Sequence, residues 1–196
     1  KNIQTLNKKI NSLVGKLMIG MEYVFLRKGP MTMGASQLCG FAKSDSSRST
    51  PNLQFHVQPI STDKLGGSNL HNFNAFTPTV ANIRPTSKGE INIVSKDSRI
   101  NPKIKMNYLS SSEDRKVAAA GLRLIRKIVL ESDEFKKYDP EEFRPGINMQ
   151  DDEELVRAAS NYAQTIFHPV GTCKMGNDDN AVVSDQLKVH GIENLR

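Results

Sequence analysis

Three segments of the chain carry apolar residues at spacings of three and four, which is the period of a helix with one buried face. We therefore predict helices over residues 5–26, 112–130 and 151–166. The first ends before Gly29-Pro30, and the second begins with the serine-to-acid spacing of a capping box. The predicted buried stripes are Ile10, Leu13, Leu17, Met21 and Val24, then Val117, Gly121, Leu124 and Ile128, then Leu155, Ala159, Tyr162 and Ile166. We assign these stripes to packing.

Between the first two helices the period of the apolar residues changes to two, which predicts β-strands. Residues 53–58 and 90–93 show this alternation. A longer apolar run over residues 73–83 is interrupted by Pro78, so we expect this strand at a sheet edge or a bulge. Residues 66–69 are read as a flexible surface loop. Because strands and helices do not alternate, we predict an α+β fold with an antiparallel sheet flanked by helices.

The composition is that of a soluble globular protein, with 37% hydrophobic and 24% charged residues among 196. It excludes collagen-like, disulfide-framework and wholly disordered classes. No apolar run reaches the roughly 18 residues of a membrane span, and no secretory signal pattern is found. The two cysteines, Cys39 and Cys173, make no disulfide framework and favour a reducing compartment. We expect a cytoplasmic protein, with peripheral membrane association of a parent enzyme as the alternative.

The net charge of +6 arises in residues 1–60, which carry eight Lys or Arg and two acidic residues. These cations are scattered along the segment, whereas nucleic-acid binding is typical of a clustered basic face with aromatic or motif support. We therefore expect solvated helix faces and no nucleic-acid partner. Binding of an acidic partner by residues 1–60 is a further hypothesis, and a steep salt dependence would be its signature.

Histidine titrates near neutrality, so the four histidines are the first catalytic candidates. Three are expected at the surface or in structural roles, namely His56 on the solvent side of its strand, His71 after the glycine loop, and His190. None has a second ligand at metal-site spacing, so we expect no metal. His168 differs, because Pro169 ends the preceding helix and keeps His168 extended beside Phe167. Such a histidine can act as a general base in a water-poor pocket, and a buried, hydrogen-bonded histidine is the alternative.

A nine-residue run that begins at His168 resembles a family motif. The run His168-Pro169-Val170-Gly171-Thr172-Cys173-Lys174-Met175-Gly176 is similar to the histidine motif of the glucose–methanol–choline (GMC) oxidoreductases. Further similar stretches follow in the family's order: Leu6-Asn7, Gly29-Pro30-Met31-Thr32, Pro51-Asn52-Leu53-Gln54, Arg84-Pro85-Thr86-Ser87-Lys88-Gly89, Pro102, Asn107-Tyr108-Leu109, Gly121-Leu122-Arg123, Ala181-Val182-Val183, Leu187-Lys188-Val189-His190-Gly191-Ile192 and Leu195-Arg196. The resemblance covers nearly the whole chain, and choline-dehydrogenase-like alcohol dehydrogenases are the most similar subgroup.

The resemblance implies an FAD-dependent enzyme that oxidises a small-molecule alcohol by passing hydride to the flavin, with an electron acceptor as a further partner. The family's motif histidine falls on His168, which would accept the hydroxyl proton. Phe167 would line the substrate pocket, and a packing role for its ring is the alternative. Cys173 is not a nucleophile in the family's pattern, and Lys174 is interpreted as a solvated or structural charge.

The sequence departs from the family in two respects. It lacks GxGxxG, the turn that holds the pyrophosphate of FAD, and it stops before the segment with the second catalytic residue, a His or Asn. Because the chain begins with Lys1 rather than Met and stops at Arg196, we expect a fragment without the Rossmann-type FAD-binding core, inactive by itself. Residues 1–165 are predicted to form the substrate-binding domain, and residues 166–196 a segment that returns to the FAD domain. The alternative is a flavin-free, stand-alone binding module with the same fold.

Overall fold

The computed structural model describes residues 3–34, 36–63 and 69–196. The helices in these ranges are α1 (Leu6–Asn11), α2 (Leu13–Leu26), α3 (Ser112–Arg126), α4 (Asp133–Lys136) and α5 (Asp152–Tyr162). The strands are β1 (Leu38–Ala42), β2 (Leu53–Gln58), β3 (Thr77–Asn82), β4 (Glu90–Asn92) and β5 (Lys103–Lys105). Residues 66–68 of the predicted glycine loop lie outside the described residues.

The chain divides into two compact units. The main unit comprises residues 1–86 and 111–162, and its antiparallel sheet has the strand order β1-β2-β3. The small unit comprises residues 87–110 and 163–196, and it contains the antiparallel pair β4-β5. Helices with small antiparallel sheets confirm the predicted α+β class. The predicted boundary at residue 165 separates the substrate-binding domain from a segment that would return to a flavin domain. The two compact units do not test where a flavin domain is contacted, so this boundary stays a prediction.

The core of the main unit lies where α3 packs on the three-stranded sheet. At the centre of β2, Phe55 pairs with Gly40 of β1 and Val80 of β3. Gly121 lets α3 approach closely, since a Cβ at this position would lie 3.1 Å from the Val80 methyl groups. Pro78 lies on β3, which is an edge strand as predicted. The buried hydrophobic side chains are Ile19, Leu53, Val117, Ala119, Leu155 and Ala158.

The predicted first helix is two helices, α1 and α2. Ser12 has an extended backbone (φ −93°, ψ 135°) between them, and its side chain accepts a hydrogen bond from the backbone N–H of Gly15. The predicted buried stripe is wrong, because Leu13 is 84% and Leu17 63% exposed, while Ile19 is buried. Apolar residues surround α2 on nearly all sides, so their spacing does not identify the face that packs.

The other two helices agree with the prediction at their starts and differ at their ends. Ser111 caps α3 by accepting a hydrogen bond from the backbone N–H of Asp114 (3.0 Å). A wider helical turn, Lys127–Glu131, follows α3 and rotates the later side chains, so Ile128 is exposed instead of buried. Helix α5 ends at Tyr162, where the chain leaves the main unit, and not at Pro169. Tyr162, which was predicted to be buried, is 52% exposed. Among the described residues, no helix is long and apolar enough to cross a membrane.

Candidate active site

The segment that carries His168 runs from the end of α5 to Pro169 without helix or strand. Phe167 has a left-handed backbone (φ 63°), which is rare for an aromatic residue. Its backbone N–H donates a hydrogen bond to Thr165 Oγ1 at 3.0 Å, and this bond holds the turn. His168 is exposed, and its ring has no hydrogen bond or ion pair with any residue that the structure describes. The described residues thus hold the backbone on one side of His168 and leave its imidazole accessible.

The residues on either side of His168 line an open apolar depression of about 440 Å³. Its lining consists of Met106, Tyr108, Thr165, Phe167 and Pro169, all from the small unit. Phe167 is 75% and Tyr108 58% exposed, so both aromatic rings are presented at the surface. The volume lies in the range of sites that bind small molecules.

Tyr108 reaches the depression from the segment that follows the hairpin β4-β5. Both of its neighbours have left-handed backbones, Asn107 with φ 55° and Leu109 with φ 56°. The side-chain amide of Asn107 donates to the carbonyl of Lys88 at 3.0 Å, which ties this turn to the start of the hairpin. Sequence reasoning did not identify Tyr108 or Met106 as site residues. The available signal was the stretch Asn107-Tyr108-Leu109, which was noted as part of the family resemblance.

The chain after His168 folds back on itself within the small unit. Gly171 has φ 94°, a conformation that favours glycine. The ring Nε2 of His190 lies 2.9 Å from the carbonyl of Gly176, so this histidine has a structural contact.

Lys174 forms an ion pair with Asp178, and its hydrogen bond lowers the pKa of that carboxyl. The ammonium of Lys174 is therefore engaged in a local contact, as its interpretation as a structural charge requires.

A hydrogen-bonded row of three side chains, which the sequence did not indicate, consists of Ser61, His71 and Asp63. His71 Nδ1 lies 2.8 Å from Ser61 Oγ, and its Nε2 lies 3.1 Å from Asp63 Oδ1. The prediction of a surface position is wrong, since the His71 side chain is 13% exposed and stacks on Phe73. Hydrogen bonds from His71 and Arg144 lower the pKa of Asp63. Ser61 is buried and inaccessible to a substrate, so we interpret the row as structural.

His56 is half-buried in β2, which corrects its predicted solvent-facing position. Strand β2 lies between β1 and β3, and His56 pairs with Cys39 on one side and Thr79 on the other. The ring Nδ1 lies 3.4 Å from Ser36 Oγ. The ring Nε2 is buried without a hydrogen-bond partner among the described residues. This histidine is enclosed by its sheet and lies in the main unit, whereas His168 lies in the small unit.

Metal ions and dinucleotides each need a characteristic set of groups. The described residues contain no group of three His, Cys, Asp or Glu residues that could bind a metal ion. Within them both sheets are antiparallel, and no glycine-rich turn joins a strand to a helix N-terminus. Such a turn supplies the backbone N–H groups that bind the pyrophosphate of a dinucleotide. The residues that would bind FAD therefore stay unassigned.

Comparison with known proteins gives a family match over more than half of the chain. A sequence profile described as GMC oxidoreductase matches residues 85–196. The oxygen-dependent choline dehydrogenase of Citrobacter koseri is 38% identical over 178 residues, which cover 91% of this chain and 32% of that protein. The Pseudomonas aeruginosa (strain UCBPP-PA14) enzyme of the same name is 36% identical over 178 residues, covering 91% and 31%. The chain thus spans about a third of the length of these curated relatives.

Solved structures show the same fold. A variant of formate oxidase from Aspergillus oryzae RIB40, studied for its effect on FAD modification, superposes with a TM-score of 0.81 at 24% identity and covers 93% of this chain and 36% of that one. Pyridoxine 4-oxidase from Mesorbium loti superposes with a TM-score of 0.70 at 23% identity, covering 82% and 32%. At these identities the likeness establishes the fold, and it confirms the predicted architecture.

Proposed function

Because the chain belongs to the GMC oxidoreductase family, we propose that it is part of an FAD-dependent enzyme that oxidises an alcohol to an aldehyde or ketone. The observation that carries this proposal is His168. It opens the family-like run His168–Gly176 inside the matched residues, its side chain is exposed, and its chain neighbours Phe167 and Pro169 line an apolar depression. The similarity to choline dehydrogenases over 91% of the chain supports the same class of chemistry.

In this proposal the chain supplies the base and part of the substrate pocket. FAD, when bound, supplies the hydride acceptor for the carbon–hydrogen bond of the alcohol. A ring nitrogen of His168 accepts the hydroxyl proton as the carbonyl forms, so that no positive charge builds up on the substrate oxygen. Phe167 and Pro169 stand on either side of this base, and we assign Phe167 to substrate contact. An electron acceptor is the further partner that this chemistry requires.

The direct test uses the flavin-loaded parent enzyme, a panel of alcohols and an artificial electron acceptor. We expect His168→Ala to lower turnover by about 100- to 10,000-fold while FAD content is unchanged, because a positioned base contributes that much. His190→Gln is the matched control, since His190 makes a structural contact and should leave turnover within a small factor. Unchanged turnover in His168→Ala would remove His168 from the mechanism.

A second expected outcome concerns the 196 residues alone. Since no glycine-rich turn joins a strand to a helix N-terminus among the described residues, we expect the purified chain neither to retain FAD nor to oxidise alcohols. The measurement is flavin absorbance of the chain after mixing with FAD and gel filtration, followed by an alcohol assay. Flavin bound at one equivalent, or turnover, would contradict this. A chain that binds small molecules in the apolar depression without any flavin role would favour the alternative, a binding module.

We further propose a reducing compartment, the cytoplasm, for the parent enzyme. Cys39 and Cys173 are both free and exposed, and such thiols are typical of proteins kept in a reducing environment. Peripheral membrane association of the parent is the alternative. Fractionation of cells that express the tagged parent enzyme distinguishes the two, since only a membrane-associated enzyme sediments with vesicles and is released by salt or detergent.

A further inference from the structure

Residues 164–173, which include His168, have little regular structure to hold them in place. They contain no helix or strand, and they make a single hydrogen bond with the residues that the structure describes. This bond runs from the backbone N–H of Phe167 to Thr165 Oγ1 at 3.0 Å. Pro169 restricts His168 from the C-terminal side, because it keeps the residue before it out of the helical region. On the N-terminal side the local restraint is the hydroxyl of Thr165.

Phe167 adopts a conformation that needs such a restraint. Its φ of 63° lies in the left-handed region, where the Cβ of an L-residue approaches the following carbonyl oxygen. A threonine hydroxyl that accepts a hydrogen bond from the N–H two residues later closes a compact turn. The bond to Thr165 thus offsets the cost of the left-handed backbone. Without the hydroxyl, we expect Phe167 to relax to the extended region, which residues other than glycine favour.

The backbone conformation of Phe167 sets the direction in which the chain continues to His168. A rotation about the N–Cα bond of Phe167 turns every atom that follows, and the next Cα lies about 3.8 Å away. The change from left-handed to extended backbone is a rotation of roughly 180°, so it would displace His168 by several ångströms. A displacement of roughly 1 Å at a reacting group can lower a rate by about 100-fold.

We propose that Thr165 is a positioning residue, whose hydroxyl holds the backbone of Phe167 and thereby places His168 to take the proton of the alcohol. The proposal rests on the proposed function, since it takes His168 as the base. Thr165 acts through its two neighbours and takes no part in the proton transfer itself. Valine at this position would keep the branched shape and remove the acceptor, whereas serine would keep the acceptor and lose only a methyl group.

The test is the rate of flavin reduction, without oxygen, in the flavin-loaded parent enzyme with the best substrate of the alcohol panel. We expect Thr165→Val to lower this rate and kcat by roughly 10- to 100-fold, with KM, FAD content and thermal unfolding nearly unchanged. Thr165→Ser should retain most of the wild-type rate. Thr62→Val is the matched control and should be as fast as the wild type. The hydroxyl of Thr62 also bonds a backbone group, the carbonyl of Asn69 at 2.9 Å, but it lies in the main unit.

A double substitution shows whether Thr165 acts through His168. If it does, adding Thr165→Val to His168→Gln should slow flavin reduction little further, because the base whose position Thr165 sets is already gone. If the two losses multiply instead, Thr165 affects the reaction by another route and the proposal is overturned. A residue with a general structural role would give this second result.

The outcomes separate this proposal from the function on which it rests. If His168→Gln is slow but Thr165→Val matches the wild type, or if Thr165→Ser is as slow as Thr165→Val, the positioning role is overturned and the proposed function stands. If the parent oxidises no alcohol, or if His168→Gln is as fast as the wild type, the proposed function fails and this proposal with it. Should Thr165→Val not fold, the comparison of Thr165→Ala with Thr165→Ser decides the question, since the two differ only in the hydroxyl.

Discussion

His168 lies between two residues that each restrict the backbone. Phe167 is held in the left-handed region by the hydrogen bond from its N–H to Thr165 Oγ1, and the ring of Pro169 fixes its own φ. The residue before a proline is also kept out of the helical region. The backbone position of His168 is thus restricted locally, by the residues on either side of it. A general base benefits from such preorganisation, because less conformational freedom is lost when the reaction takes place.

Asp45 illustrates how a single exposed carboxylate stabilises a turn of the main unit. Hydrogen bonds from Ser47, Arg48 and Ser44 hold the pKa of Asp45 well below its usual value of 3.8. Arg48 also forms an ion pair with Glu113 of α3, so the turn after β1 is connected to a helix. Because the depressed pKa belongs to the folded state, the charged carboxylate favours folding at neutral pH.

We therefore expect Asp45→Asn to lower the free energy of unfolding at pH 7. The difference from wild type should be constant at pH values above the usual pKa of 3.8 and should shrink as pH falls below it, because the unfolded state then binds the proton first. Urea denaturation at a series of pH values measures this. Asp185→Asn is the control, as Asp185 has no hydrogen bond to a described residue. A difference that is constant or grows in acid would refute the assignment.

At the scale of elements, an ion pair fastens the segment between α4 and α5 to α3. Arg126 Nε and Nη2 lie 2.8 and 2.9 Å from the two carboxylate oxygens of Glu142, and both side chains are 10% exposed. Arg126 also donates to the carbonyls of Met149 and Gly146, at 2.6 and 3.0 Å. The guanidinium thus satisfies backbone groups of a segment that has no helix or strand of its own.

Arg126→Ala is expected to destabilise the protein by about 3–5 kcal/mol, because it leaves the Glu142 carboxylate buried and without its partner. Arg123→Ala should cost no more than about 1 kcal/mol, since the ion pair of Arg123 with Asp152 is largely exposed. Thermal and urea unfolding measure both variants. Equal effects of the two substitutions would show that burial does not set the strength of the Arg126 pair.

Sequence patterns predicted elements well where a local signal exists. The cap of α3 at Ser111 and the edge position of Pro78 both follow from side-chain chemistry within a few residues. The break at Ser12 also has a local signal, since the Ser12 side chain caps α2, but the apolar spacing continues across it and concealed the break. The end of α5 at Tyr162 has no such signal, because it depends on where the chain packs. His71 was misplaced because its ring packs against Phe143, which is distant in sequence, as well as against the neighbouring Phe73.

At the scale of the whole molecule, α2 presents a continuous apolar face. On a helix of 3.6 residues per turn, seven of its exposed large side chains share one side; they are Leu13, Val14, Leu17, Met18, Met21, Val24 and Phe25. Exposed apolar patches of this kind mark contact surfaces or drive aggregation. None of the described residues covers this face of α2.

We expect the 196-residue chain to self-associate through α2. Leu17→Lys should shift the chain towards monomer without loss of unfolding free energy, because Leu17 is exposed in the folded state. Ile93→Lys, in the small unit and more exposed still, is the control and should have a smaller effect. Sedimentation velocity over a range of protein concentrations measures the association. A monomeric wild type, or equal effects of the two substitutions, would contradict this expectation.

The candidate site was predictable from the sequence only in part. His168 and Phe167 followed from the similarity of one nine-residue run and its neighbour to a family motif, and of the two Phe167 lines the apolar depression. Tyr108 was not identified, because it is 59 positions earlier than Phe167 in numbering and reaches the same depression only through the fold. Left-handed conformations at Asn107 and Leu109 leave no trace in hydrophobic periodicity.

The central claim is that His168 takes the proton of an alcohol. The measurement that tests it most directly is the single-turnover rate of flavin reduction by benzyl alcohol, without oxygen, in the loaded parent enzyme and in His168→Gln across pH. We predict that the variant reduces flavin about 100-fold more slowly than the wild type, or slower still, at each pH. A variant that reduces flavin as fast as the wild type, with the same pH dependence, would contradict the account.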